Sequence, residues 1–319
     1  MRPGIVSMLM EKNETEKMMS TLQRCALCGR RCGADRAAGA RGACEAGSLP
    51  KVARWLSHMG EEPPLIGTQG SGTVFFTGCS MRCLFCQNFA VSQLGEGEEI
   101  PVMRLAEIMF DLQAIGCHNI NLVSPTHYAP QIAVAVEAAK RQGLGIPVVY
   151  NTHGYDTPEA LSWMAGKVDI YLADVKYAND AHAEQFSGIP EYSKVNHEAL
   201  RIMFSQVGHL QEDPETGLAT RGLMVRILIL PEGIEGAKAS LLHLKREFST
   251  DLSVSLMAQY VPLHKATQCP PLDRTLEESE YEEVLDFAQA LGFTRLWCQE
   301  AAAAHVGVPD FSADAPFAF

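Results

Sequence analysis

Three cysteines, Cys79, Cys83 and Cys86, fall within eight residues, after an apolar run from Thr73 to Thr77 that reads as a strand and turns at Gly78. Three thiols so crowded cannot all pair with one another, and in a reducing compartment they point to metal rather than to disulfides. A thiolate-held [4Fe-4S] cluster normally takes four protein ligands, so three would leave one iron open to a small molecule. A second set, Cys25, Cys28, Cys32 and Cys44, is interleaved with Gly29, Gly33, Gly39 and Gly42. Four thiols make a closed shell, suiting either structural zinc or an iron–sulfur cluster. So little apolar sequence lies between them that this segment needs metal to hold a fold.

Such thiols must be held by a scaffold, and the rest of the chain supplies one by alternation. From Thr73 onward short β-rich runs alternate with amphipathic segments, the pattern of βα units on a parallel sheet. Helix is expected over Met103 to Ile115, Pro130 to Gln142, much of 180–208, 235–248 and 276–291. Strands are expected over Asn119 to Val123, Pro147 to Asn151, Asp169 to Ala173, Leu223 to Leu230 and Ser253 to Tyr260, with a last one at Thr294 to Cys298. Thr157 followed by Pro158 marks a helix start, a capping hydroxyl with proline at the first position. The fold class is therefore α/β, about six βα units, preceded by a small cysteine-rich metal-binding module. Expected boundaries are a frayed or briefly helical 1–20, the module at 21–58, a Gly/Pro-rich linker or covering loop at 59–72, the core at 73–300 and a tail at 301–319. Reactive groups of such a sheet belong at the carboxyl ends of its strands. Asn151, Thr152 and His153 lie there, as do Asp174 with Lys176, Arg226, and His264 beyond the sixth strand.

At 319 residues, 47% hydrophobic and 20% charged, the chain can bury one large core. No run approaches the ~18 apolar residues of a membrane span, so a cytoplasmic protein is expected, without membrane contact. The net charge of -12 argues against non-specific nucleic-acid binding. It is unevenly spread, since Arg24, Arg30, Arg31, Arg36, Arg41, Lys51 and Arg54 face only Asp35 and Glu45 in the early segment. That basic surface is either solvated or a dock for an acidic electron carrier. The lone cysteines Cys117, Cys269 and Cys298 read as small buried apolar residues, Cys269 beside Pro270 and Pro271 being the one open to exposure.

The run Cys79-Ser-Met-Arg-Cys83-Leu-Phe-Cys86-Gln-Asn88 resembles the signature of the radical S-adenosylmethionine (radical SAM) superfamily. The wider pattern is similar to the pyruvate formate-lyase activating enzyme group. Its marks are Gln87-Asn88, Asn151 to Tyr155, Asp174-Val175-Lys176, Val225-Arg226 leading to Pro231, and Gln259-Tyr260 with Pro262. With the cysteine-rich start, the chain looks closest to an uncharacterised activase-homologous iron–sulfur branch. The resemblance implies a partial (βα)6 TIM-like barrel in which Cys79, Cys83 and Cys86 hold a [4Fe-4S] cluster and S-adenosylmethionine chelates the open iron. It implies reductive cleavage of that cofactor and hydrogen abstraction, fed by a low-potential donor of flavodoxin or ferredoxin type. A glycyl radical protein is one implied substrate, and a small molecule or peptide another. A non-catalytic electron-transfer protein is the alternative. The resemblance further implies that Asp174, Lys176 and Asn151, by their positions, contact the cofactor and that Phe85 packs near the adenine, with Arg226 and His264 as further candidates. Where the activases carry Gly-Gly-Glu this chain has Ser124-Pro125-Thr126-His127, so Ser124 and Thr126 are expected to substitute. His127 faces substrate or is structural at a turn.

Overall fold

The computed structural model describes residues 12–299, together with 309–311, 313, 316 and 317. The chain opens with α1 (Lys12–Gln23), then a cysteine-rich loop without regular structure, then β1 (Lys51–His58), α2 (Pro63–Ile66), β2 (Ser71–Phe76), α3 (Phe89–Ser92) and β3 (Glu98–Glu99). Next come α4 (Val102–Ala114), β4 (Ile120–Val123), α5 (Ala129–Arg141), β5 (Val148–Thr152), α6 (Pro158–Met164) and β6 (Ile170–Asp174). After these lie α7 (Asp180–Ser187), α8 (Tyr192–Val207), β7 (Gln211–Glu212), β8 (Ala219–Leu228), α9 (Ile234–Phe248), β9 (Ser253–Met257), α10 (Glu278–Ala290) and β10 (Leu296–Cys298).

One sheet carries the fold, in the order β10-β9-β8-β6-β5-β4-β2-β1-β3. From β2 to β10 every neighbouring pair is parallel, and β1 pairs antiparallel with β2. The sheet is not closed, so the expected partial barrel stands: six βα units in sequence, with β10 as a further parallel strand beside β9. The segment 51–58, expected at the end of the cysteine-rich module, is hydrogen-bonded into this same sheet as β1. Among the described residues no helix is long and apolar enough to cross a membrane.

Local chemistry explains the elements. Thr157 accepts the Ala160 N–H at 3.4 Å and caps α6, while Asn179 caps α7 by accepting the His182 N–H at 2.9 Å. α7 stops at Gly188, whose φ of 59 is left-handed, and this divides the helical stretch expected over 180–208 into two helices. Strand alternation then sorts the side chains. Val225 and Ile227 of β8 pack outward with the helices, whereas Met224 and Arg226 face the barrel interior. Each fully buried aliphatic side chain contributes roughly 1.5–3 kcal/mol through this packing. Of the lone cysteines, Cys117 is buried as expected, Cys269 is half-buried, and Cys298 is exposed, contrary to expectation. Cys298 ends β10, the edge strand, beyond which the sheet has no further strand among the described residues.

Candidate active site

The site is built on the loop that follows β2. Gly78 adopts φ 88, a turn open to glycine, and a Cβ there would collide with the Cys44 carbonyl oxygen. Arg82 follows at φ 63, and Ser124 leaves β4 at φ 56, so two non-glycine residues are strained at the cavity rim. Cys79 and Cys83 are buried and Cys86 is half-buried. Each thiol has a hydrogen-bond partner: Cys79 Sγ accepts the Met81 N–H at 3.4 Å, Cys83 Sγ accepts from Ser187 Oγ at 3.0 Å, and Cys86 Sγ lies 3.2 Å from Ser92 Oγ. Among the described residues no three His, Cys, Asp or Glu side chains are preset in metal-ligating geometry. The thiols are instead aimed at those partners.

All three thiols line one cavity of about 350 Å³, together with Ser124, Asn151, His153, Asp174, Lys176 and Arg226. Burial pushes Cys79 up to about 12 and Cys86 up to about 11, and the charge of Cys83 adds to both. A bound cation would oppose this rise by coordinating the thiolates. The donor set therefore fits an iron–sulfur cluster on three thiolates, and the polar wall opposite fits a small zwitterion.

That wall is one charged network. Asp174 Oδ2 is 2.7 Å from Lys176 Nζ, and its Oδ1 accepts from Arg226 Nε at 2.8 Å. Arg226 Nη2 donates to Asn151 Oδ1 at 2.5 Å, and Nη1 reaches Glu61 Oε2 at 3.4 Å. Burial alone would raise Asp174, but the cations of Arg226 and Lys176 outweigh it and hold the carboxyl at about 2. Burial would likewise lower Lys176, and the Asp174 carboxylate more than reverses this. The strands place these groups by register: Asp174 pairs with Arg226 across β6 and β8, and Asn151 with Leu172 across β5 and β6.

Other expected residues fall differently. Phe85 lines the cavity, edge-on to Tyr260 at 5.9 Å. Thr126 is buried outside it, 3.3 Å from Thr152 Oγ1. His127 Nε2 donates to the Thr77 carbonyl at 2.9 Å, tying the ends of β2 and β4 together, and burial lowers its pKa to about 3. His264 lies beside the cavity, not in its wall, stacked on Phe89 at 4.9 Å.

Glu61 and Glu62 escaped sequence reading. The stretch 59–72, read as a connection, threads both into the barrel. Glu61 Oε1 accepts from Asn121 Nδ2 at 2.9 Å, on the inner face of β4. Burial raises both carboxyls, Arg226 opposing it in each case. Two acids before Pro63-Pro64 look like an exposed helix start; only the tertiary position of Arg226 gives them a reason to be inside.

Residues 73–205 match the sequence profile of the radical SAM superfamily. That match covers less than half of the chain. Members of that superfamily are enzymes that use a [4Fe-4S] cluster and S-adenosylmethionine. An uncharacterized protein of Methanocaldococcus jannaschii is 27% identical over 287 residues, covering 86% of this chain and 77% of its own. Among solved structures, SuiB of Streptococcus suis bound to the precursor peptide SuiA superposes with a TM-score of 0.49 at 10% identity, over 72% of this chain and 49% of that one. The chain thus spans about half the length of SuiB. A domain of the pyruvate-formate lyase-activating enzyme from Bacteroides vulgatus gives 0.39 at 14% identity, over 54% of this chain and 92% of that one. These structural likenesses say nothing of what this chain acts upon.

Proposed function

We propose that this radical SAM protein abstracts hydrogen from its substrate and that, as an activase-like enzyme, it acts on a glycyl residue of a partner protein. The observation that carries the first part is that the incomplete thiolate set and the Asp174–Arg226–Lys176 network open onto one cavity. Cys79, Cys83 and Cys86 would hold the cluster. Lys176 and Arg226 suit a carboxylate, and Asp174 an ammonium or hydroxyl. When bound, the cluster supplies the single electron that breaks the sulfonium carbon–sulfur bond of S-adenosylmethionine, arming the cofactor to take a hydrogen atom.

The chain's own residues orient and protect. Ser187 and Ser92 lie within hydrogen-bond reach of two of the thiol sulfurs, and Asn151 locks the guanidinium of Arg226 in place. Phe85, Tyr260, Leu228 and Met257 are among the apolar residues of the wall, which limit water near a reactive centre. The open side of the sheet, which no strand closes among the described residues, favours a macromolecular substrate segment over a fully enclosed small molecule.

The test is anaerobic. Protein reconstituted with iron and sulfide, reduced and given S-adenosylmethionine is expected to yield 5′-deoxyadenosine, and a Cys83→Ala variant none. Absence of the product from reduced, fully loaded wild-type protein would overturn the enzymatic reading. A glycyl radical detected by EPR on a co-incubated partner is the corresponding readout for the activase form.

A further inference from the structure

Arg36 is 1% exposed, yet among the described residues it has no carboxylate partner. Its Nε and Nη2 donate to the Gly47 carbonyl at 3.0 and 2.6 Å, and Nη1 donates to the His127 carbonyl at 2.5 Å. The remaining polar neighbour is Cys25 Sγ, 3.8 Å from Nη1, with the Tyr128 ring 5.5 Å from the guanidinium carbon. A buried guanidinium surrounded by dipoles and thiols is a cation without a counter-charge, an arrangement proteins rarely keep.

We propose that Cys25, Cys28, Cys32 and Cys44 hold a metal as an anionic tetrathiolate centre, with Arg36 as its counter-ion, and that this centre braces the catalytic loop. One divalent zinc, or a [4Fe-4S] core of the same charge, takes four thiolates to a net dianion and releases four protons. The folded loop brings the four cysteines near one another, without presetting their thiols in ligating geometry. Gly33 N–H donates to the Cys25 carbonyl at 3.0 Å, Cys25 N–H to the Ala34 carbonyl at 3.1 Å, and Arg31 N–H to the Cys28 carbonyl at 2.9 Å, so the first three cysteines sit on tight turns. A Cβ on Gly42 would lie 2.6 Å from Cys32 Sγ, so glycine there leaves the fourth segment free to approach. Cys28 and Cys44 are each close enough to Cys25 and Cys32 to feel their charge. Cys25, Cys28 and Cys44 are buried while Cys32 is exposed, which leaves the metal an entry side.

The brace is equally concrete. Arg30 Nε donates to the Ser80 carbonyl and Nη2 to the Met81 carbonyl at 3.3 Å, inside the catalytic loop. Gly78 abuts the Cys44 carbonyl, Gly29 N–H donates to the Tyr155 carbonyl at 3.1 Å, and Cys28 shares a buried cluster with Cys79 and Cys83.

The test is metal content, which stands whether or not the proposed hydrogen abstraction is correct. The full chain carrying Cys79→Ala, Cys83→Ala and Cys86→Ala is purified anaerobically and offered zinc, or iron with sulfide. Retention of about one zinc without sulfide, or of roughly four irons with four sulfides, supports the centre and names its metal. Adding Cys28→Ser and Cys44→Ser should then abolish retention. A folded triple variant that keeps neither metal overturns the proposal. Should the triple variant fail to fold, the wild type decides: metal beyond the roughly four irons of one cluster, lost in Cys28→Ser/Cys44→Ser, supports it. No excess over one cluster refutes it.

Discussion

Asp174→Asn is the most informative single change, because it removes the charge that joins two cations while keeping the side-chain volume. Asp174, Lys176 and Arg226 have side chains 15%, 18% and 14% exposed, so solvent screens them little. The carboxyl is held at about 2 against an ordinary 3.8. That difference corresponds to ~2.4 kcal/mol at neutral pH, at 1.36 kcal/mol per unit. Leaving two buried cations facing a neutral amide adds a penalty, and measured losses for half-broken buried pairs run to ~3–5 kcal/mol. A loss of about 2–4 kcal/mol at pH 7 is therefore expected from urea unfolding under reducing, anaerobic conditions. The pH dependence has a fixed sign. Because the folded-state pKa is depressed, the contribution is complete above the unfolded value of 3.8 and disappears as the pH falls towards 2. The stability difference between wild type and variant should shrink across that window. A loss under about 0.5 kcal/mol at pH 7, or a difference unchanged at low pH, would refute the reasoning.

Other consequences follow from the same geometry. His127 is buried neutral, with its pKa lowered to about 3, so its contribution is complete above 6.5 and falls away as the pH drops through that range; His127→Gln should flatten the acid limb of stability between pH 6 and 4. Gly154→Ala should yield little folded protein, since φ is 72 and the new Cβ would stand 2.5 Å from the Asp174 carbonyl; normal expression and stability would contradict the packing described. Glu61→Ala should cost ~1–3 kcal/mol by stranding Arg226 and Asn121, and Glu61→Gln clearly less. Equal unfolding midpoints for the two variants would remove Glu61 from the network.

The scaffold was legible because its signals are local. Thr157-Pro158 announced α6, and apolar periodicity placed α4 at Val102–Ala114 against an expected Met103 to Ile115, α5 and β4 to β6 within a residue or two. Cys79, Cys83 and Cys86, singled out by spacing, and Asn151, Asp174, Lys176 and Arg226, singled out by their position at strand ends, line one cavity. Residues whose role depends on distant chain were not legible. Arg36 reads as one more surface arginine until His127 and Gly47 close over it. Glu61 looks solvated until Asn121 and Arg226 receive it. The expectation for His264 failed to place it in the cavity wall because the chain after β9 turns through φ 53 and stacks its ring on Phe89. Nor does composition show that Lys51–His58 extends the main sheet, since antiparallel pairing with β2 is a tertiary choice.

The proposed function requires that the three-thiol site take S-adenosylmethionine at its open iron, against the wall formed by Asn151, Asp174, Lys176 and Arg226. EPR of the reduced, cluster-loaded protein tests this most directly. Adding S-adenosylmethionine should shift the cluster signal in the wild type, and the shift should need a higher cofactor concentration in Asp174→Asn. A reduced cluster whose spectrum is indifferent to saturating S-adenosylmethionine would contradict it.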